Sequence, residues 1–334
     1  MSINPKDFDM PVASFNPNPM KLGLFTDGLP DMPFEQVLDE AVKMGIQVLE
    51  IATGGYSCAP HLDMEKLLHS AEARKEFLHA IESRGLELYA LNCSANAIGP
   101  GERWASHAPD VMNTFRLAEL LGVKHVVAQS GLPAGSPNDE TLNWVTHTFP
   151  PEMMDVLKYQ WEEVAIPEWI RLVKIAEECG IEKIALENHP CQLVYNVETC
   201  LKLREAVGPM IGMNLDPSHM FWQSGDPMAA ARVLGAAGAL YHVHGKDARL
   251  ERYMVDPNGV LDTKTIDDFA RRAWNFVAVG SGHSEQWWSE FLSVVRMAGY
   301  DDVVSLEMED LTMSMMDGHL YSLDILKRAM VLNH

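Results

Sequence analysis

Four polar residues in the second half of the sequence each follow directly on a short, largely apolar run: Glu187 after Ile184-Ala185-Leu186, Asp216 after Met213-Asn214-Leu215, His244 after Tyr241-His242-Val243, and Glu307 after Val304-Ser305-Leu306. A lone carboxylate in such a place is ordinarily a helix cap or a solvated loop charge. Four in a row are different, because three carboxylates brought together repel and must be protonated or neutralised, and a divalent cation neutralises them. An oxygen-rich set with one imidazole and no thiolate suits Mn²⁺, Mg²⁺ or Co²⁺ better than structural zinc, with Zn²⁺ remaining open. Such a cation, chelated by a carbonyl and its neighbouring hydroxyl, stabilises the enediolate formed when an α-proton leaves. A carboxylate on one face can remove that proton and a second on the other face can return one.

This chemistry requires the four residues to meet, and a repeated local pattern supplies the architecture. A helical segment ends in Gly and a β-rich apolar run follows at once, at Gly45 before 46–51, Gly85 before 86–91, Gly122 before 123–128, Gly180 before 181–186 and Gly299 before 300–306. Gly suits the left-handed position past a helix end, and a continuous apolar run suits a strand buried on both faces. Eight strands are predicted, at 22–26, 47–51, 87–92, 124–129, 182–187, 210–215, 240–244 and 302–307, with helices between them and a last one near 315–331. The pattern reads as an α/β fold, a (β/α)8 TIM barrel, over an open doubly wound sheet. No Gly-x-Gly-x-x-Gly follows the first strand and no Gly-Lys-Ser/Thr loop occurs, so nucleotide binding has no support. We expect one domain over 1–334, with an N-terminal extension at 1–20 and long loops at 131–160 and 246–283. Both loops follow strand C-termini, the face on which barrels build their sites.

Glu187, Asp216, His244 and Glu307, set within Leu215-Asp216-Pro217-Ser218-His219 and His242-Val243-His244-Gly245-Lys246-Asp247, resemble the ligand series of the xylose-isomerase-like TIM barrels. These are the sugar phosphate isomerases/epimerases, with ketose 3-epimerases, hydroxypyruvate isomerases and inosose dehydratases among them. The resemblance runs over about residues 20–330. It implies that the four residues bind Mn²⁺ or a similar ion and that Glu187 and Glu307 also act as acid and base on opposite faces of a sugar. It further implies that His219 contacts a substrate oxygen, with His189 a second contact. The long loops resemble those of larger members, including the metal-binding large subunits of C-glycoside deglycosidases.

Other residues add to the expected site. His242 and His244 are two apart and share a strand face; His244 is nearer the strand end and is the better ligand. Lys246 could hold a substrate phosphate, but one Lys with acidic neighbours is a poor phosphate cradle, so an unphosphorylated substrate is expected. Trp222, like Trp104, Trp287 and Trp288, could stack on a sugar or pack the outer shell. His283 could protonate a leaving group. Glu50, Asn92 and Gln129, at earlier strand ends, suit hydroxyl recognition or barrel-interior hydrogen bonds.

Composition narrows the function classes. The 334 residues carry 26 Lys+Arg against 47 Asp+Glu, a formal charge of −21, which argues against a nucleic-acid partner. That acidity also counts against a metal-dependent abasic-site nuclease resembling endonuclease IV. The five cysteines show no Cys-x-x-Cys pair, so neither a disulfide framework nor a zinc-thiolate site is suggested. No apolar run reaches the roughly 18 residues of a membrane span and nothing reads as a signal peptide, so a cytoplasmic protein without a membrane partner is expected. The reading is a metal-dependent keto-sugar isomerase or epimerase. The alternatives are a lyase, whether dehydratase or keto-glycoside eliminase, and a non-catalytic sugar-binding subunit. The expected partner is a small sugar, with a homo-oligomer or a small accessory subunit left open.

Overall fold

A computed structural model describes residues 20–330, so the expected extension at 1–20 lies, apart from Met20, outside the described residues. In chain order the elements are β1 (Lys21–Phe25), α1 (Phe34–Lys43), β2 (Val48–Gly55), α2 (Met64–His69), α3 (Ala71–Glu82), β3 (Glu87–Ser94), α4 (His107–Leu121) and β4 (His125–Ala128). There follow α5 (Glu152–Lys158), α6 (Ile166–Glu178), β5 (Lys183–Glu187), α7 (Val197–Val207), β6 (Ile211–Leu215), α8 (Pro217–Trp222), α9 (Pro227–Ala236) and β7 (Leu240–Gly245). The last are β8 (Asp247–Leu250), α10 (Arg252–Asn258), β9 (Trp274–Val277), α11 (Glu285–Met297), β10 (Val303–Leu306) and α12 (Met315–Ala329).

Strands β1 to β7 and β10 close into a parallel barrel in the order β1-β10-β7-β6-β5-β4-β3-β2. The barrel strands lie on the predicted apolar runs, with β2 and β3 running on to Gly55 and Ser94. The helix-ending glycines explain the repeated pattern physically: Gly45, Gly85, Gly122, Gly180 and Gly299 all have φ between +71° and +90°, a region in which a Cβ is strained. Burial of Leu22, Leu49, Leu91, Val126, Ile184, Ile211, Val243 and Val304 joins the strands to the helical shell, where Phe115, Trp169, Trp288 and Phe291 are fully buried.

The two long connections carry structure that their sequences do not advertise. Within 131–160, Ala134 bridges Leu142, and the buried Gln160 amide donates to the carbonyls of Pro133, Ala134 and Asn143. Within 246–283, β8 and β9 form an antiparallel hairpin. Asp247 ties the two ends of that insertion together by accepting the amides of Gly280, Gly282 and His283 at 3.1, 3.1 and 2.9 Å. Among the described residues no helix is long and apolar enough to cross a membrane.

Candidate metal centre

The strand order sets the site. Strands β5, β6, β7 and β10 are consecutive around the barrel, so the residues at their C-terminal ends line one arc of its mouth. Glu187, Asp216, His244 and Glu307 each offer a ligand atom, all within 4.8 Å of one another. The two glutamates stand at the ends of the arc, with Asp216 and His244 between them.

Local structure aims each side chain. Asp216 is both cap and candidate ligand: its Oδ1 accepts the Ser218 amide at 2.8 Å, starting α8, while its buried Oδ2 makes no hydrogen bond. The Asn188 side chain clamps the Asp216 backbone through both its amide (2.8 Å) and its carbonyl (2.9 Å). Glu187 Oε1 lies 3.1 Å from His219 Nε2. His244 points Nε2 into the barrel toward Glu50 and Nδ1 toward the cluster, 2.9 Å from Glu307 Oε2. Its ring stacks on Phe25, with the centroids 6.0 Å apart. Lys246 Nζ reaches Glu307 Oε1 at 3.1 Å and Glu309 Oε2 at 2.7 Å.

Whether a cation fits can be judged from the donor atoms. Asp216 Oδ2 is a buried carboxylate oxygen without a hydrogen bond, and an unmade bond of this kind costs about 1–3 kcal/mol, more when charged; His244 Nδ1 and Glu307 Oε2, 2.9 Å apart, have only each other. An orphaned Asp216 oxygen beside ligand atoms of Glu187, His244 and Glu307, all within 4.8 Å of one another, matches a cation's needs, and the oxygen-rich donor set suits a hard or borderline divalent ion.

The electrostatics show the same strain. Burial pushes the Asp216 carboxyl well above its ordinary range; Lys246 opposes this, and Glu187 and Glu307 add to it. Burial also works against ionised Glu187, but hydrogen bonding by His219 leads the effects that bring it below the usual carboxylate range. Lys246 and then His244 bring Glu307 down in the same way against its burial. The His219 imidazole, desolvated and beside His189, is lowered to about 4, so at neutral pH it supports Glu187 as a neutral donor.

The structure gathers some of the residues expected at the site and sets others apart. His219 and His189 meet edge to face with centroids 4.5 Å apart beside Glu187, and Lys246 lies against the Phe276 ring. Trp222 is buried and stacked at 4.8 Å on Trp274, so that face is covered by protein. Asn92 donates to Glu50 Oε1 at 2.6 Å inside the barrel. His283 is held by Asp247 at 2.8 Å and lines a separate cleft of about 440 Å³ with Phe221, Arg249 and Arg252, whose walls include none of the four cluster residues. Trp288 is core, and its indole N–H reaches Asp247 at 3.4 Å. Sequence reasoning did not find the parts played by Asn188, Glu309 and Phe276. The only available signals were that Asn188 and Glu309 adjoin Glu187 and Glu307, and Phe276 had none.

The profile of a family described as xylose isomerase-like TIM barrel matches residues 38–329. The chain is 57% identical over 311 residues to uncharacterized protein YfiH of Bacillus subtilis (strain 168), covering 92% of this chain and 99% of that one. Among solved structures it resembles the IolI protein with a binding zinc atom, at a TM-score of 0.65 and 20% identity over 94% of this chain and 100% of that one. It also resembles the D-psicose 3-epimerase of Clostridium cellulolyticum H10 with D-tagatose, at a TM-score of 0.60 and 15% identity over 93% and 99% of the two chains.

Proposed function

The chain belongs to the xylose isomerase-like TIM-barrel family, and on that footing we propose that it is a divalent-cation-dependent sugar isomerase or epimerase that moves a proton next to the carbonyl of a keto-sugar. One observation carries this reading: two glutamates flank Asp216 and His244 on consecutive barrel strands, with ligand atoms of all four within 4.8 Å of one another and the buried Asp216 Oδ2 without a hydrogen bond. Glu187, Asp216, His244 and Glu307 would hold the cation, for which manganese is our choice, and it would supply Lewis-acid polarisation of the substrate carbonyl.

The remaining work falls to the chain itself. Glu187, ionised and steadied by His219, is placed to take a proton from one face of the substrate, and Glu307, steadied by Lys246, to serve the opposite face. His219, His189 and Lys246 offer donors to the hydroxyls. Phe276, backed by the stacked Trp274 and Trp222, forms an apolar wall for the carbon skeleton. Asn92 and His283 do not touch substrate in this reading, since one is bound to Glu50 and the other lines the separate cleft. The described residues, 20–330, are read as one domain.

The Lys246 ammonium beside Glu307 favours one second reading: a hydrogen-bond donor there would stabilise a departing oxygen, which turns the same first step into a lyase reaction. Incubating manganese-loaded protein with ketoses in D₂O separates the two. Deuterium at the carbon next to the carbonyl without loss of a group supports the isomerase, and an unsaturated product supports the lyase. Neither exchange nor product from any keto-sugar rejects both.

A further inference from the structure

Deep in the barrel, one carboxylate gathers three donors. Glu50 on β2 is fully buried and lies 2.8 Å from His242 Nε2, 3.1 Å from His244 Nε2 and 2.6 Å from Asn92 Nδ2. It reaches His242 and His244 across the barrel interior, since β2 and β7 are separated by β1 and β10. A buried carboxylate is costly unless it is fully hydrogen-bonded, and here its partners occupy both oxygens. The outcome for His244 is specific: Nε2 is committed to Glu50, leaving Nδ1 as the nitrogen that faces Glu187 and Glu307 at 4.0 and 2.9 Å. Phe25 stacks along the ring and His242 meets it edge-on, with centroids 5.4 Å apart, so the ring has little freedom to turn.

We propose that Glu50 is the positioning residue of the metal centre: through the Glu50–His244 hydrogen bond it fixes His244 as an Nδ1 ligand and raises its donor strength, and Asn92 locks Glu50 for that task. This rests on the metal-centre reading above and assigns Glu50 and Asn92 a role behind the site instead of in substrate recognition. Carboxylate–histidine–metal arrangements work this way because the carboxylate fixes the tautomer and makes the imidazole a stronger ligand, and losing the outer carboxylate typically weakens metal binding about 10–100-fold.

The test uses Co²⁺ alone as the probe, titrated calorimetrically into metal-free full-length protein, with the visible absorption of the Co²⁺ complex recorded alongside. Glu50→Gln keeps the shape and removes the charge; Asn92→Ala loosens Glu50 without touching His244 and serves if Glu50→Gln fails to fold. We expect Co²⁺ affinity to fall about 10–100-fold in Glu50→Gln and by a smaller factor in Asn92→Ala, each with an altered visible spectrum. A purely structural role for Glu50 would lower stability and leave the spectrum of the bound ion unchanged. Affinity within twofold of wild type and an unchanged spectrum in whichever variants fold overturn the proposal. If His244→Ala abolishes Co²⁺ binding while Glu50→Gln leaves it intact, the metal centre stands and this inference alone fails. If wild-type protein binds no Co²⁺, both fall.

Discussion

Lys246 Nζ lies 3.1 Å from Glu307 Oε1, and Glu309 takes its other side at 2.7 Å. The Lys246 side chain is 4% exposed, and its charge is spent on carboxylates that would otherwise repel one another. It is therefore not free to receive a phosphate, and the surrounding acids disfavour a dianion further. The expected result is that a given unphosphorylated ketose has a kcat/KM at least about tenfold above that of its phosphate ester, because accommodating the dianion costs on the order of 1.4 kcal/mol or more. Steady-state kinetics on such a pair checks this, and a preference for the ester contradicts it.

Metal binding should release protons. Burial, with Glu187 and Glu307 adding to it, holds Asp216 well above the ordinary carboxylate range. His244 is likewise held well above the imidazole range, since Glu50 and Glu307 outweigh its burial. A cation takes only the deprotonated forms of these groups. Calorimetry of Mn²⁺ binding at pH 7 in buffers of different ionisation enthalpy should therefore report a net release of protons. Zero release would mean that the cation binds elsewhere.

His219 separates orientation from ligation. It holds Glu187 from Nε2 at 3.1 Å and stays neutral at physiological pH. His219→Gln is expected to lower kcat by about 10²-fold, the lower end of general acid–base contributions, while Mn²⁺ affinity changes by less than about tenfold. An unchanged kcat would remove His219 from the site.

Much of the fold was legible because its signals are local. The glycines at 45, 85, 122, 180 and 299 mark helix ends by conformational need, with φ positive at each, and the buried strands that follow are continuous apolar runs. The candidate ligands were legible for a related reason, since in a parallel barrel the end of every strand faces one mouth. What could not be read depends on contacts across the barrel. Glu50 sits in the apolar run Val48-Leu49-Glu50-Ile51, which marks it as unusual, but its histidine partners are more than 190 positions away. The β8–β9 hairpin was hidden because four-residue strands carry too short an alternation to register. Trp222 looked available for a sugar until Trp274 was seen to cover it.

Stability should fall with acid in a defined window away from the metal centre. His125, at the start of β4 and packed on Tyr89, is lowered from 6.5 to about 4 by burial and the nearby Lys183 charge. The folded form therefore takes up this proton later than the unfolded chain, so stability is intact above pH 6.5 and is lost as pH falls toward 4. Allowing for partial exposure, the loss is about 2 kcal/mol. Urea unfolding at pH 7 and 4.5 should show His125→Gln losing less stability over this interval than wild type, and an equal loss would contradict the assignment.

The central claim is that Glu187, Asp216, His244 and Glu307 hold a divalent cation at which a keto-sugar reacts, and a crystal soaked with Mn²⁺ and a ketose, with data collected at the manganese edge, tests it most directly. The account predicts one anomalous peak per chain bounded by those four side chains, with His244 presenting Nδ1 and the sugar's carbonyl and neighbouring hydroxyl oxygens lying between the two glutamates. A peak elsewhere, or a sugar bound away from the four residues, would contradict it.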